Sequence, residues 1–299
     1  MLIHAILAID MSFPDRFGSL IVANEPGRPL LDHPGAIADL IAELRDRGAL
    51  LLRGFAWDLE ALQAFAARLA PDSLRYGGDR ERLSSDDTIQ RAERGQMAIS
   101  LHSELAFTPY RPDTALFACR RPAASGGRTL IGDGRRVWEL LSPSTRARFE
   151  ACRVCYHRRF PPSAWRRLFG IDDDFELLHE RLASLPDFSY EIHETGILDT
   201  IYTTSAVAED TGGEIAFCNN VSNMVEAEGI PGSGVDFEDG GLVEGALRTE
   251  LYYLLKLEAQ PIDWRAGDVL ILDNRRVMHG REAFEDPDRD IWVRFANLA

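Results

Sequence analysis

Two histidines and one glutamate are the residues whose types and spacing best fit chemistry. His102 and Glu104 are separated by one residue in a segment of extended character, so both side chains leave the same face of the chain. An imidazole and a carboxylate on one strand face can share a metal ion. His279 comes shortly after the strand-like apolar run 268–272, a position suited to a site at the end of a buried strand. The three side chains are therefore candidate metal ligands.

Two histidines and one carboxylate on one side of a metal form the facial triad of non-haem iron(II) oxygenases. This ligand set leaves three adjacent coordination positions for a co-substrate and oxygen. A hydrolase or isomerase using zinc or manganese with the same ligands is a second interpretation, although no additional general base is evident in the sequence. The polar pair Asp273-Asn274 is expected to support the strand end and orient the histidine.

The elements that must position these residues are read from the spacing of apolar side chains. Helical spacing predicts four helices, and alternation or short apolar runs predict strands throughout the chain. The predicted helices cover 35–47, 59–69 after an Asp58 N-cap, a segment starting at Ser142-Pro143, and 244–257. The predicted strands are 1–10, 49–53, 97–101, 114–119, 129–131, 154–157, 200–204, 214–217, 268–272 and 291–296. We expect a mainly β fold, a sandwich or barrel with flanking helices, in a single domain spanning 1–299.

Two segments are candidate lids or insertions. Residues 80–96 are polar and lead directly into the proposed metal site, and residues 160–189 form a long mixed insertion. Segments of this length in a compact domain are commonly binding loops.

The motifs resemble those of the taurine dioxygenase/clavaminate synthase-like superfamily of Fe(II)/2-oxoglutarate-dependent oxygenases. The resemblance covers roughly 97–133 and 264–298 and is thin elsewhere. It is strongest toward the syringomycin-type and clavaminate synthase-type amino-acid hydroxylases. The motifs that carry it are His102-x-Glu104, Gly126-Gly-Arg-Thr129, Asp273-Asn274, His279-Gly-Arg281 and Arg294.

The resemblance implies a double-stranded β-helix, or jelly roll, with Fe(II) held by His102, Glu104 and His279. It also implies that Thr129 and Arg294 hold the distal carboxylate of 2-oxoglutarate, and that Arg281 lies near the site. A guanidinium pairs well with a carboxylate because it offers two parallel, charge-assisted hydrogen bonds, and a hydroxyl can donate a third.

The implied activity is hydroxylation of an unactivated C–H bond with O₂, on a free or carrier-bound amino acid or related small molecule, in natural-product (antibiotic) biosynthesis. Two alternatives stay open: a desaturase or cyclase of the same superfamily, and a jelly-roll binding protein without catalysis. The sequence does not name the substrate, since fold and metal site do not fix specificity.

Composition excludes several classes of protein. The chain has 299 residues, 45% of them hydrophobic, and a formal net charge of −15, which disfavours nucleic-acid binding. No apolar run reaches membrane-spanning length, so no membrane association is expected and we predict a cytoplasmic enzyme. The pair Cys152 and Cys155 lacks a second cysteine or histidine pair, and structural thiols are the favoured interpretation of the four cysteines.

Overall fold

The structure is a computed structural model that describes residues 17–32, 36–74, 80–93, 95–172, 174–226 and 232–298. The predicted strand at 1–10 lies outside these ranges. The helices are α1 Ile37–Arg47, α2 Leu59–Leu69, α3 Gly134–Leu140, α4 Pro143–Ala151, α5 Pro162–Phe169, α6 Phe175–Ala183, α7 Val221–Glu226 and α8 Gly245–Glu258. A short 3₁₀ helix covers Leu30–Asp32.

Strands make up most of the framework. They are β1 Ser19–Val22, β2 Arg28–Pro29, β3 Ala49–Arg53, β4 Phe55–Ala56, β5 Asp72–Ser73, β6 Gln90–Arg91, β7 Ile99–His102, β8 Thr114–Arg121, β9 Thr129–Asp133, β10 Val154–Phe160, β11 Phe188–Ile192, β12 Leu198–Thr204, β13 Val207–Glu209, β14 Ile215–Phe217, β15 Gly234–Phe237, β16 Gln260–Ile262, β17 Val269–Asp273, β18 Val277–Arg281 and β19 Asp290–Asn297.

Two sheets form the centre of the molecule. The larger has the order β1-β3-β17-β8-β19-β5, with β6 also pairing with β19, and the smaller has the order β16-β9-β18-β7. Their inner faces share one apolar core, to which the large sheet contributes Phe117, Leu270 and Val293 and the small sheet Ile131 and Val277. This arrangement is the predicted double-stranded β-helix, and mainly β architecture with flanking helices is confirmed.

Helices cover the outer faces of both sheets. The outward residues of the large sheet, such as Leu52 and Leu116, pack on α1 and α2. The outer face of the small sheet packs on α3, α4, α7 and α8 in a second cluster. Two of the predicted helices have the expected boundary residues: Asp58 Oδ1 accepts the backbone N–H of Ala61 at 2.8 Å at the start of α2, and Gly48, with φ of 78°, ends α1.

The predicted insertion 160–189 is ordered around a core of its own. It contains α5 and α6, whose Trp165, Phe169, Leu178 and Leu182 pack together with Leu198 of β12. It joins a sheet of order β11-β12-β10-β15. Within the described residues, no helix has the length and apolar character needed to cross a membrane.

Candidate metal centre

The structure brings His102, Glu104 and His279 together. Strands β7 and β18 pair in antiparallel register with His102 directly opposite His279, so the two rings share one face, with centroids 4.5 Å apart. One ligand atom from each of the three side chains lies within 4.8 Å of the others. Across the described ranges this is the one group of at least three histidine, cysteine or acidic side chains arranged to hold a metal ion.

Glu104 is positioned by a turn rather than by the strand. β7 ends at His102, and Leu105, which is buried, adopts a left-handed φ of 57°. A non-glycine residue in this region is strained by roughly 1–3 kcal/mol and persists only where the surroundings hold it. Here Asn274 does so, since its side chain accepts the backbone N–H of Glu104 at 2.8 Å and donates to the Glu104 carbonyl at 3.0 Å.

Hydrogen bonding also orients the first histidine. Nδ1 of His102 lies 2.9 Å from the carbonyl oxygen of Ser100, to which it donates in the neutral ring. The lone pair is then on Nε2, the atom free to bind a metal. Nε2 of His279 lies 3.5 Å from Oε2 of Glu104, and the edge of its ring packs on Phe117.

The electrostatics give His102 and Glu104 the protonation states that a metal requires. Burial, together with the neighbouring His279, lowers the pKa of His102 to about 4, so the imidazole is neutral at neutral pH. Burial acts to raise the pKa of Glu104, but the Arg80 guanidinium and His279 outweigh it and hold this pKa well below its usual range. Nη2 of Arg80 lies 3.2 Å from the Glu104 carboxylate. The donor set is therefore a neutral imidazole and a charged carboxylate beside a second imidazole.

A cavity of about 190 Å³ opens beside the three side chains, and Thr129 lies on its wall. Thr129 is 3% exposed, and its hydroxyl accepts a hydrogen bond from Nε1 of Trp264 at 3.0 Å. Its own hydrogen has no acceptor among the residues that the structure describes. Thr129 can therefore donate this hydrogen into the cavity.

Arg289 lines the same cavity and was missed by the sequence analysis. Its Nε donates to the carbonyl of Gly127 at 2.9 Å, and within the described ranges no carboxylate pairs with its guanidinium. Burial and repulsion from Arg281 lower the pKa of Arg289 to about 10, so it remains charged at neutral pH. A desolvated cation without a partner favours an anionic ligand.

The structure places Arg294 elsewhere, which corrects its predicted role. Ile291 and Val293 of β19 face the core between the sheets, whereas Arg294 faces the helices. Nη1 of Arg294 donates to the carbonyls of Ala66 and Ala70, at 3.0 and 2.9 Å, at the end of α2. Side chains alternate along a strand, and Arg294 therefore cannot reach the cavity that Arg289 lines.

Arg281 lies on the cavity wall, where both of its terminal nitrogens are engaged and its buried Nε has no partner among the described residues. Nη1 and Nη2 donate to the carbonyls of Glu93 and Met97, at 2.9 and 2.7 Å. Arg281 therefore fastens the predicted lid segment to β18, and Ala92 and Glu93 of that segment line the cavity.

Comparison with known proteins identifies the chain. Residues 25–295 match the family described as taurine catabolism dioxygenase TauD, TfdA family. The chain belongs to this family. It is a dioxygenase, as the sequence motifs predicted.

Relatives within and around the TauD/TfdA family match most of the chain. It is 25% identical to the dapdiamide synthesis protein DdaC of Enterobacter agglomerans, over 81% of this chain and 80% of that protein. It is 26% identical to a clavaminate synthase-like protein of Arabidopsis thaliana, over 82% and 81%. The fold is shared with PvcB of Pseudomonas aeruginosa, described as an Fe, alpha-ketoglutarate dependent oxygenase from an isonitrile synthetic pathway. The two structures superpose with a TM-score of 0.60 and 20% sequence identity, over 95% of this chain and 87% of PvcB.

Membership of the TauD/TfdA family confirms the predicted superfamily and favours a dioxygenase over a metal hydrolase. Two histidines outside the metal centre lie within hydrogen-bond distance of nearby carboxylates. His157 lies 3.0 Å from Asp236, and Nε2 of His193 lies 2.8 Å from Asp199. All four cysteines are free.

Proposed function

We propose that this TauD/TfdA-family chain is an Fe(II)- and 2-oxoglutarate-dependent hydroxylase of an unactivated C–H bond in an amino acid or related small molecule. The observation that carries the proposal is the convergence of His102, Glu104 and His279 on a cavity whose wall also holds Thr129 and Arg289. The names of DdaC and PvcB support a role in natural-product biosynthesis.

The residues fit the metal and the co-substrate. His279 and Glu104 are 4% and 6% exposed, and buried ligands of this kind are stabilised by a divalent cation between them. When bound, Fe(II) and 2-oxoglutarate supply O₂ activation coupled to oxidative decarboxylation, which releases succinate and CO₂ and transfers one oxygen atom to the substrate.

The protein contributes orientation and charge. His102, Glu104 and His279 would hold the metal on one side and leave the other side open to the cavity. Arg289 and Thr129 together offer two guanidinium N–H groups and one hydroxyl, a set suited to the distal carboxylate of 2-oxoglutarate. In this role Arg289 replaces Arg294. The bonds from Arg281 to Glu93 and Met97 keep the lid segment over the cavity and restrict entry of water.

The Glu104→Ala variant tests the proposal. It removes one of three protein ligands, and we expect succinate formation and product hydroxylation in the presence of Fe(II) and 2-oxoglutarate to fall at least about 100-fold. The matched control is Glu60→Ala, which removes a carboxylate on the exposed side of α2. Near-wild-type succinate release and product yield in Glu104→Ala would refute the ligand assignment.

A further inference from the structure

Two adjacent asparagines at the start of α7 use their side chains differently. The Asn219 carboxamide is fully engaged: Nδ2 donates to the Ala206 carbonyl at 2.8 Å, and Oδ1 accepts the Val221 N–H at 2.9 Å. The Asn220 carboxamide makes no hydrogen bond to any residue that the structure describes, although it is only 1% exposed. Asn219 thus has a structural role in capping α7, and Asn220 does not.

The Asn220 backbone is held firmly while its side chain is unpaired. Its N–H donates to the hydroxyl of Tyr156 at 3.0 Å, and its carbonyl accepts the N–H of Met224 at 3.0 Å. Tyr156 itself is fully buried. A buried amide without a partner costs folding free energy, and such groups in a native structure call for a functional explanation.

Asn220 lies beside the metal centre. It lines the cavity that contains the three metal ligands, and its neighbour Asn219 accepts the backbone N–H of Ser103 at 2.8 Å. Ser103 is the residue between His102 and Glu104. The start of α7 is therefore fixed directly to the strand end that presents two of the three ligands.

We propose that Asn220 is a specificity-determining residue that binds the substrate through a hydrogen bond from a substrate N–H group to Oδ1. This inference rests on the proposed function and narrows its substrate class to molecules with an amino or amide N–H. Oδ1 is the enclosed, unsatisfied atom of the carboxamide, so the complementary ligand group is a donor. Thr129 and Arg289 are assigned to 2-oxoglutarate, which leaves Asn220 for the substrate.

The test compares Asn220→Leu and Asn220→Asp with the wild-type holoenzyme. The probes are the twenty proteinogenic amino acids and their carboxamides. The control for each probe is the corresponding acid that lacks nitrogen at the α-carbon. The readout is succinate release above the substrate-free background. We expect stimulation only by N–H-bearing probes. Asn220→Leu should raise the KM of the best probe about 10- to 100-fold, and Asn220→Asp, which keeps the acceptor, should change it by less than about threefold.

Two further readouts separate substrate binding from a structural role. The metal-free Asn220→Leu protein should have an unchanged or higher Tm, because the unpaired amide is replaced by an apolar group of similar size. Its affinity for 2-oxoglutarate in the presence of Mn(II) should equal that of the wild type. If Asn220→Leu has a lower Tm and an unchanged KM, the inference is overturned. It is also overturned if no N–H-bearing probe stimulates succinate release by the wild type. Failure of the wild type to bind 2-oxoglutarate would instead overturn the proposed function.

Discussion

Asn274 is the residue on which the shape of the metal centre depends most, apart from the three ligands. Its side chain is completely buried and makes three hydrogen bonds, two to the backbone of Glu104 and one to the carbonyl of Pro112 at 2.9 Å. Its own backbone carbonyl accepts the Ser103 hydroxyl at 2.7 Å. Asn274 therefore links the strand before His279 to the turn that carries Glu104, and it is a positioning residue.

Replacing Asn274 with alanine should weaken metal binding without removing a ligand. We expect the affinity for Mn(II), measured by calorimetry, to fall about 10- to 100-fold. The free energy of unfolding should fall by about 1–3 kcal/mol, since the Glu104 backbone groups lose their partners. Asn24→Ala, at an exposed position, is the control. Unchanged Mn(II) affinity in Asn274→Ala would show that the Glu104 turn does not need this support.

The sequence was sufficient to predict that His102, Glu104 and His279 lie together, because several motifs in the same order pointed to one site. It was not sufficient to choose between Arg294 of β19 and Arg289, which immediately precedes this strand. The choice of Arg294 followed from the family resemblance, whereas the deciding fact is which face of the strand each side chain occupies. The alternation of Ile291, Val293 and Phe295 carried that information, since Arg289 lies in phase with these residues. The lack of a hydrogen-bond partner for the Asn220 side chain depends on which residues surround it in the fold, so the sequence alone could not predict it.

At the scale of elements, the contact between β19 and α2 explains why a buried arginine occurs outside the cavity. The last carbonyls of a helix lack partners within the helix and carry partial negative charge. Arg294 donates to one of them, the Ala70 carbonyl, and also to the Ala66 carbonyl, which accepts the Ala70 N–H as well. It lies 4% exposed between the large sheet and α2. Its position is structural, and it ties the helical layer to β19, the strand that follows Arg289.

Arg294→Met should therefore lower the stability of the folded protein and leave the binding of 2-oxoglutarate unchanged. We expect the free energy of unfolding, measured by urea denaturation, to fall by about 1–3 kcal/mol, because the Ala66 and Ala70 carbonyls lose a charged donor. The KM for 2-oxoglutarate should stay within about twofold of the wild type. A variant of normal stability with a raised KM would restore the original interpretation of Arg294.

Element boundaries were predicted well where one strong pattern was present. The 59–69 helix was marked by its Asp58 cap and apolar spacing, and α2 has these bounds. The segment 160–189 was predicted as a lid or insertion, and its helices α5 and α6 were not predicted. Their apolar residues pack on Leu198, which follows outside that segment, so the core that stabilises both helices is not evident from the segment itself.

At the scale of the whole molecule, the metal centre joins distant parts of the chain. His102 and His279 lie on neighbouring strands of the small sheet, and Arg289 immediately precedes β19 of the large sheet. The cavity also gathers Arg80, Arg281 and Arg289 in a protein whose formal net charge is −15. Overall composition therefore did not indicate that the site favours an anionic co-substrate.

Because ligands that bind only the folded state stabilise it, metal and co-substrate should raise the Tm together. With Mn(II) and 2-oxoglutarate each at about 100 times the Kd, we expect the Tm to rise by roughly 9 °C. Mn(II) is used because it does not activate O₂ in this role. In Glu104→Ala the Tm should not rise when Mn(II) and 2-oxoglutarate are added. An equal rise in the Tm of that variant would show that the metal binds at a site that does not include Glu104.

The most direct test asks whether Arg289 or Arg294 binds 2-oxoglutarate. The co-substrate is titrated anaerobically into the Fe(II)-loaded wild type, Arg289→Met and Arg294→Met, and binding is measured by the visible absorption of the complex. Loss of a buried, charge-assisted pair costs about 2–5 kcal/mol, so Arg289→Met should weaken binding at least about 30-fold. Arg294→Met should bind as the wild type does. Normal binding by Arg289→Met, together with loss of binding in Arg294→Met, would contradict the assignment of this cavity.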